Sequence, residues 1–304
     1  MSASPETGTG PGAMQASDGV GPEEDVQQAV PVAPPAEKKA RTWTAFIGPV
    51  LAFLLFIAIW YLMHYWALEA VFDRPAFLIT EPDRVIEESF LDGDNRTTLL
   101  QGLYWTTVVA MCGLSISIVL GMTIAIGMAQ AQWLERSFWP YLVALQAIPI
   151  LAITPIIASV FGFGFSARIL VCVIISLFPI VSNTLFGLLS ADRLQHDMFT
   201  LHGASRRTRL MKLQLPGAMP AIFTGFRIAA GLSVIGAVVG ELFFRRGEKG
   251  IGILLDVFRQ RNNYPLMYGA LLLSSMLGIA VFTLFGWIGN RVVGKWYVST
   301  REGR

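Results

Sequence analysis

Charged residues fall in clusters along this chain, separated by long apolar runs. Asp, Glu, Lys and Arg are absent from 42–68, 97–134, 137–167, 169–191 and 262–290, and 213–240 is interrupted only by Arg227. A bilayer core of ~30 Å takes ~20 helical residues, so each of the six runs is long enough to cross. The pattern predicts an all-α, polytopic membrane protein with six transmembrane helices. The run 97–134 reads as a single helix of about 25–30 residues, tilted or beginning in the interface. The expected organisation is an N-terminal tail over 1–41, a transmembrane domain over 42–296 and a short C-terminal tail over 297–304.

Composition agrees with the pattern. Of 304 residues, 54% are hydrophobic and only 14% charged, with a mean hydropathy of +0.55; soluble domains carry roughly 25% charge. The formal net charge of +2 offers no basic field for nucleic acid. Cys112 and Cys172 both lie inside apolar runs and read as small packing residues rather than a disulfide or metal pair.

The first 41 residues are rich in Gly, Pro, Ala, Ser and acid and show no periodicity, the composition of a disordered segment. The apolar run that follows is too long for the core of a signal peptide. Lys38, Lys39 and Arg41 abut it, which favours a cytoplasmic N-terminus. Six spans then return the C-terminus to the cytoplasm. On this topology 13 Lys and Arg fall inside and 9 outside, with Arg227 in a span. The sign is right, although the basic 245–261 segment falls outside.

Within the spans, Gly113, Ser117, Gly121 and Ala125 recur every four residues, as do Gly217, Ala221, Gly225, Ala229, Ser233 and Ala237. Each set shares a helical face where small side chains let backbones approach, the usual means of helix association in membranes. Pro149, Pro155 and Pro179 each remove a backbone donor. Such breaks either border a substrate path or are tolerated kinks. Arg227 and Glu241 lie about 21 Å apart along one helix, too far to pair. Arg227 is a path residue, a snorkelling cation or half of a structural pair. Glu241 is an interfacial residue or part of a gate, and the glycines around it (Gly240, Gly247, Gly250, Gly252) favour a bent, tightly packed gate. In the first outside loop, Val85, Ile86, Phe90 and Leu91 suggest a short surface helix, and Asp92-Gly93-Asp94-Asn95 reads as a turn before it reads as a metal site.

The loop between the fourth and fifth runs carries the most specific pattern. Nine residues separate Gly203 from Leu213, which is followed by Leu215 and Pro216, and Gly203-Ala204-Ser205 opens the segment. This resembles the cytoplasmic loop of permease subunits of binding-protein-dependent ABC importers: Glu-Ala-Ala, three residues, Gly, nine residues, an aliphatic residue, one residue, Leu-Pro. Asp197, Met198 and Phe199 stand where that pattern has Glu-Ala-Ala. Gly225-Phe226-Arg227, Glu241, Gly250-Ile251-Gly252 and Trp296 are similar to the nitrate, sulfonate and taurine branch. That branch often has Trp seven residues before the Glu, where this chain has Val234.

The resemblance implies a type I ABC importer permease, with a coupling loop at about 191–216 that docks on the ATPase subunit. It implies two ATPase subunits holding ATP and Mg, an extracytoplasmic solute-binding protein, a second permease copy and a small polar or anionic solute. The residues of the loop fit that role. Gly203 permits a sharp reversal, 204–213 is expected to form a short helix with Leu210, Met211 and Leu213 as anchors, and Pro216 to stop it or start the next span. The alternative is a basic loop on anionic lipid. The chain lacks a G-x-x-x-x-G-K-[ST] loop, so no ATP site of that kind is expected on it. No cofactor, metal site or catalytic constellation is expected either: no HExxH or GxSxG is present, and His64, His196 and His202 are scattered. The rival classes are an ion-coupled secondary transporter, which calls for mid-membrane acidic or His pairs not found here, and a membrane scaffold without a substrate path.

Overall fold

The computed structural model describes residues 44–67, 70–73 and 75–294. The expected tail at 1–41, Trp296 and 297–304 lie outside the described residues. Every regular element among the described residues is helical. Contacts divide the chain at Val50, so residues 44–50 stand by themselves and Leu51 onward forms the second unit.

α1 (Thr44–Leu62) ends in a π turn at Met63–Ala67. None of its residues from Leu51 on is buried. A short helix α2 (Pro82–Ile86) and a π turn (Glu87–Leu91) follow. Their inward residues are Val85 and Ser89, both fully buried, while Ile86 and Leu91 are exposed. The expected apolar stripe is therefore only partly realised, because the π turn shifts the face toward Ser89, whose hydroxyl donates to the Pro265 carbonyl at 3.1 Å. Asp92 caps α3 (Gly93–Gln130) by accepting from the amides of Asp94 and Asn95. The acidic turn is thus a helix cap.

At 38 residues, α3 is about 57 Å long. It exceeds the expected length and projects beyond the ~30 Å apolar core. The third charge-free run differs more. It forms two helices, α4 (Gln132–Ala147) and α5 (Ile150–Phe161), bent by 101° across Ile148-Pro149. Among the described residues five helices are individually long and apolar enough to span, and counting this bent pair as one broken span gives six. Pro149 cannot donate to a preceding turn and stands as the cap of α5, so the break falls there rather than at Pro155, which is accommodated inside α5.

α6 (Phe165–Leu189) and α7 (Arg193–Leu201) lead to α8 (Arg206–Arg209), which runs through a π turn (Leu210–Gln214) into α9 (Leu215–Phe243). The π turn absorbs the missing N–H of Pro216. Residues 204–213 therefore do not form a separate helix; 206–243 is one continuous span, and the free-standing short helix is α7. α10 (Ile251–Gln260) and α11 (Tyr264–Val293) complete the chain.

The core is α6 packed against α3 and α9, with α11 alongside. Val109, Ala110, Leu114, Cys172, Ala229 and Val234 meet there. The small-residue faces make the contact. Ser117 and Ser176 are buried and bond at 2.7 Å, and a Cβ on Gly113 would lie 2.3 Å from that of Cys172. In hydrocarbon, where apolar burial adds little between helices, such close backbone approach is what holds spans together. Gly217, at the start of the second stripe, is exposed and packs against nothing.

Candidate functional site

Two ends of the bundle concentrate the residues singled out by sequence. The first is an elbow between α6 and α9. Asp192 caps α7 by accepting from the Leu194 amide at 3.1 Å. At the other end of α7, the Ala204 amide bonds the Phe199 carbonyl and the Gly203 amide the Thr200 carbonyl, at 2.9 and 3.0 Å. This crossed pair is a Schellman stop, which places its turning residue in the left-handed region. Gly203 has φ +66°, and no atom lies within 4 Å of where its Cβ would be. Two residues on, Ser205 caps α8 through the Thr208 amide at 3.2 Å. The Arg209 guanidinium ties the two arms by donating to the Thr200 hydroxyl at 3.0 Å. Gly203-Ala204-Ser205 is thus a helix stop followed by a helix start.

The elbow is fixed to the bundle by residues the motif only partly marks. Leu210 and Leu215 pack with Leu188, Ala218 and Ile222. Gln214, buried, accepts from Gln130 at 3.0 Å and donates to the Leu188 carbonyl at 3.3 Å, linking the ends of α3, α6 and α9. No spacing rule points to Gln214. Leu213 is half-buried and Pro216 exposed. α7 itself buries no residue, and Asp197 lies on its exposed surface. Leu194, Met198 and Leu201, at helical spacing on one face, are 72%, 60% and 86% exposed.

The second place is a clamp at the far end of α9. Glu241 is fully buried. Its Oε2 accepts from the Thr106 hydroxyl at 2.9 Å and the Gly252 amide at 2.8 Å, while the Thr106 oxygen accepts from the Ile251 amide at 2.8 Å. A Cβ on Gly250 would sit 2.0 Å from Glu241 Oε1, and one on Gly252 would sit 2.3 Å from the Val238 carbonyl. These glycines are there for space. Beside them Arg168, also buried, donates to the carbonyls of Phe244, Glu248 and Arg246 at 2.7, 2.8 and 2.9 Å. It closes the 244–248 loop onto α6. In the sequence Arg168 stands between two apolar runs and reads as an outside loop residue.

The clamp's rim carries Asp256, bonded by Arg245, Arg259 and Gln260. The Arg259 hydrogen bond holds the Asp256 carboxyl below its ordinary pKa.

Between these ends, a cleft of about 560 Å³ opens beside the α4–α5 break. Gln146 and Ile148 line it from the hinge, Phe178, Pro179, Ser182 and Asn183 from α6, and Ile228 and Leu232 from α9; no lining side chain is ionisable. Pro179 has no N–H to give the Ile175 carbonyl, and Ile175 lines the same cleft. Of the four gate or path candidates, Pro149 alone borders the cleft, through its neighbours. Pro155 is on α5 outside it, Arg227 lies against Phe282 of α11 at 4.1 Å, and Glu241 is in the clamp.

Residues 117–294 match the model of the family described as "binding-protein-dependent transport system inner membrane component". The chain is 31% identical over 236 residues to the formylaminopyrimidine transport permease protein ThiX of Halalkalibacterium halodurans, covering 78% of this chain and 90% of that protein. It is 29% identical to the riboflavin transport system permease protein RibX of Chloroflexus aurantiacus, covering 90% of this chain and all of that one. Nitrate import permease protein NrtB of Leptolyngbya laminosa is 28% identical over 262 residues, covering 83% and 90%. In fold, the chain is similar to the MetNI methionine ABC transporter in an inward-facing form, with a TM-score of 0.56 at 18% identity, covering 67% of this chain and 98% of that chain. The chain therefore belongs to the binding-protein-dependent transport system inner membrane components, as a multi-pass permease subunit of an ABC importer.

Proposed function

We propose that the elbow is where ATPase subunits drive this permease, and that the cleft beside the α4–α5 break is its solute path. The observation that carries the reading is the apolar face of α7. Leu194, Met198 and Leu201 project from a helix with no buried residue, held at a fixed angle by the Gly203 stop. Exposed apolar side chains aligned on one face call for a partner groove. On this reading the coupling element is α7 with the Gly203 turn, Ala204 and Ser205, while Leu213, Leu215 and Pro216 anchor it to the span. Motion of α7 passes through Gln214 and α9 to the bundle.

Membership of the family supports our reading of the rest of the assembly. Two ATPase subunits hold ATP and Mg, an extracytoplasmic binding protein delivers the solute, and a second copy of this chain completes the path. The elbow and both termini face the cytoplasm, in keeping with Arg206, Arg207, Arg209 and Lys212 at the elbow. Transport is alternating access between two states. The cleft lining of amides, a hydroxyl, a proline-freed carbonyl and Phe178 supports an uncharged polar solute over an anion, since it offers no cation.

The test is Gly203→Val in the assembled transporter. A β-branched residue at φ +66° is strained, so the variant should reach the membrane yet hydrolyse ATP without uptake. Unchanged uptake would refute the assignment.

A further inference from the structure

α9 and α11 leave two neighbouring pockets along their seam. At the elbow end is a cavity of about 210 Å³, lined by Thr224, Arg227, Gly286, Gly289 and Asn290 among others. That is the liquid volume of roughly seven waters at ~30 Å³ each. Further along the same two helices lies a separate apolar groove of about 600 Å³, walled by Ile228, Ile235, Gly278, Ile279 and Phe282. Arg227 and Phe282 stand at the junction, with the guanidinium 4.1 Å from the ring centroid.

Arg227 is a cation inside a span, and no ion pair among the described residues includes it. A charge at that depth needs a counter-charge or a route to the interface. The structure shows the route and leaves the counter-charge to a ligand. Val292 and Val293, closing α11, meet Leu215 and Pro216, opening α9, so the cavity lies close to where the two helices emerge. Arg206, Arg207, Arg209, Lys212 and Arg291 belong to the same end of the bundle. The cavity thus offers a guanidinium with five N–H groups and the Asn290 amide. Gly286 leaves the room: a Cβ there would lie 3.1 Å from Arg227 Nε.

We propose that the two pockets together are a binding site for one anionic phospholipid, with its phosphate on Arg227 and Asn290 and an acyl chain along the apolar groove. A free phosphate ion would fill only the cavity and leave the groove bare. The junction of a polar head site with a long apolar slot matches a lipid, and basic residues between membrane helices select an anionic one. Ile228 and Leu232 border both this groove and the cleft proposed as the solute path, so the test reads lipid retention, which does not require solute or ATPase.

The experiment uses the full-length protein purified in detergent and stripped of lipid. Dioleoylphosphatidylglycerol, dioleoylphosphatidylcholine or inorganic phosphate is then added, and bound lipid is counted by native mass spectrometry alongside thermal denaturation. Wild type should retain phosphatidylglycerol in preference to phosphatidylcholine and melt at higher temperature with it. Arg227→Gln should lower that preference about fivefold, what one basic group near a membrane surface contributes. Asn290→Leu, at an exposed position, should lower it less and serves as the second variant should Arg227→Gln fold poorly. Equal retention of the two lipids by wild type, or an unchanged preference in Asn290→Leu, overturns the proposal. So does the same thermal shift with inorganic phosphate, which would mark a free-anion site. A quantitative Ser275→Cys cross-link to a second copy would give the groove to protein and also overturn it.

Discussion

The elbow and the clamp use the same residue type for opposite reasons. At the elbow, Gly203 stands in open space and is needed for its positive φ. At the clamp, Gly250 and Gly252 have no positive φ and are needed because Glu241 and the Val238 carbonyl occupy the volume of a side chain. The polar groups follow the same division. Most of the elbow's charges are exposed, Arg209 being half-buried, and its apolar stripe is exposed, whereas the clamp buries Arg168 and Glu241 and ties them to backbone groups and to the Thr106 hydroxyl. One end leaves an apolar face exposed, and the other is sealed against the loop that follows it.

The sharpest way to break this comparison is at Arg168. Arg168→Leu removes three charge-assisted hydrogen bonds and leaves three carbonyls of the 244–248 loop without that donor. A loss of at least ~3 kcal/mol is expected, seen as a large fall in the melting temperature of the purified protein. An unchanged melting temperature would mean the clamp is not structural.

Next is Gly252→Ala. Its methyl meets backbone, which cannot turn aside, so a loss of about 1–3 kcal/mol is expected. The same replacement at Gly203 meets no atom and should cost only ~1 kcal/mol of backbone strain. Gly203→Asn should recover most of that, because Asn tolerates the left-handed region. If Gly203→Ala proved costlier than Gly252→Ala, the division between conformation and space would fail.

Replacing Leu194, Met198 and Leu201 with Ser should leave stability within about 0.5 kcal/mol per site, as expected of exposed positions. Copurification with an ATPase subunit should nevertheless fall. Retained copurification would remove α7 as the docking face.

The smallest effect concerns Asp256. Its carboxyl is depressed by Arg259, so its ion pairs contribute stability above the ordinary carboxylate pKa of ~3.9 and lose it as pH falls through the lower folded value. Asp256→Asn should therefore melt slightly below wild type at neutral pH and equal it in strong acid. A gap that widened toward low pH would reverse the assignment.

Much of the elbow was legible because its signals are local. Gly203, Ser205 and Pro216 act on their own backbone, and the resemblance of their spaced pattern to the family loop marked them. Which segment would be free did not follow, since Leu210 and Leu215 find their partners on α3 and α6, and that contact draws 206–243 into one helix. At the clamp, Glu241 and its glycines stood out, but Arg168 did not. It is separated from the loop it holds by 76 to 80 positions, a relation with no period. Arg227 and Glu241, read together as path candidates, are placed in different surroundings because about 21 Å of helix separates them.

The sequence by itself determined that this is an all-α membrane protein with six crossings and a marked turn between the fourth and fifth. A bilayer excludes charge and demands helical backbone, and both constraints are written residue by residue. Only the tertiary structure decided that the third crossing is bent by 101° at Pro149, that α7 rather than 204–213 stands free, and that Arg168 closes the far loop. Those outcomes depend on which helix faces meet. Between apolar helices that choice is made by the fit of small residues such as Gly113 against Cys172, which local pattern leaves open.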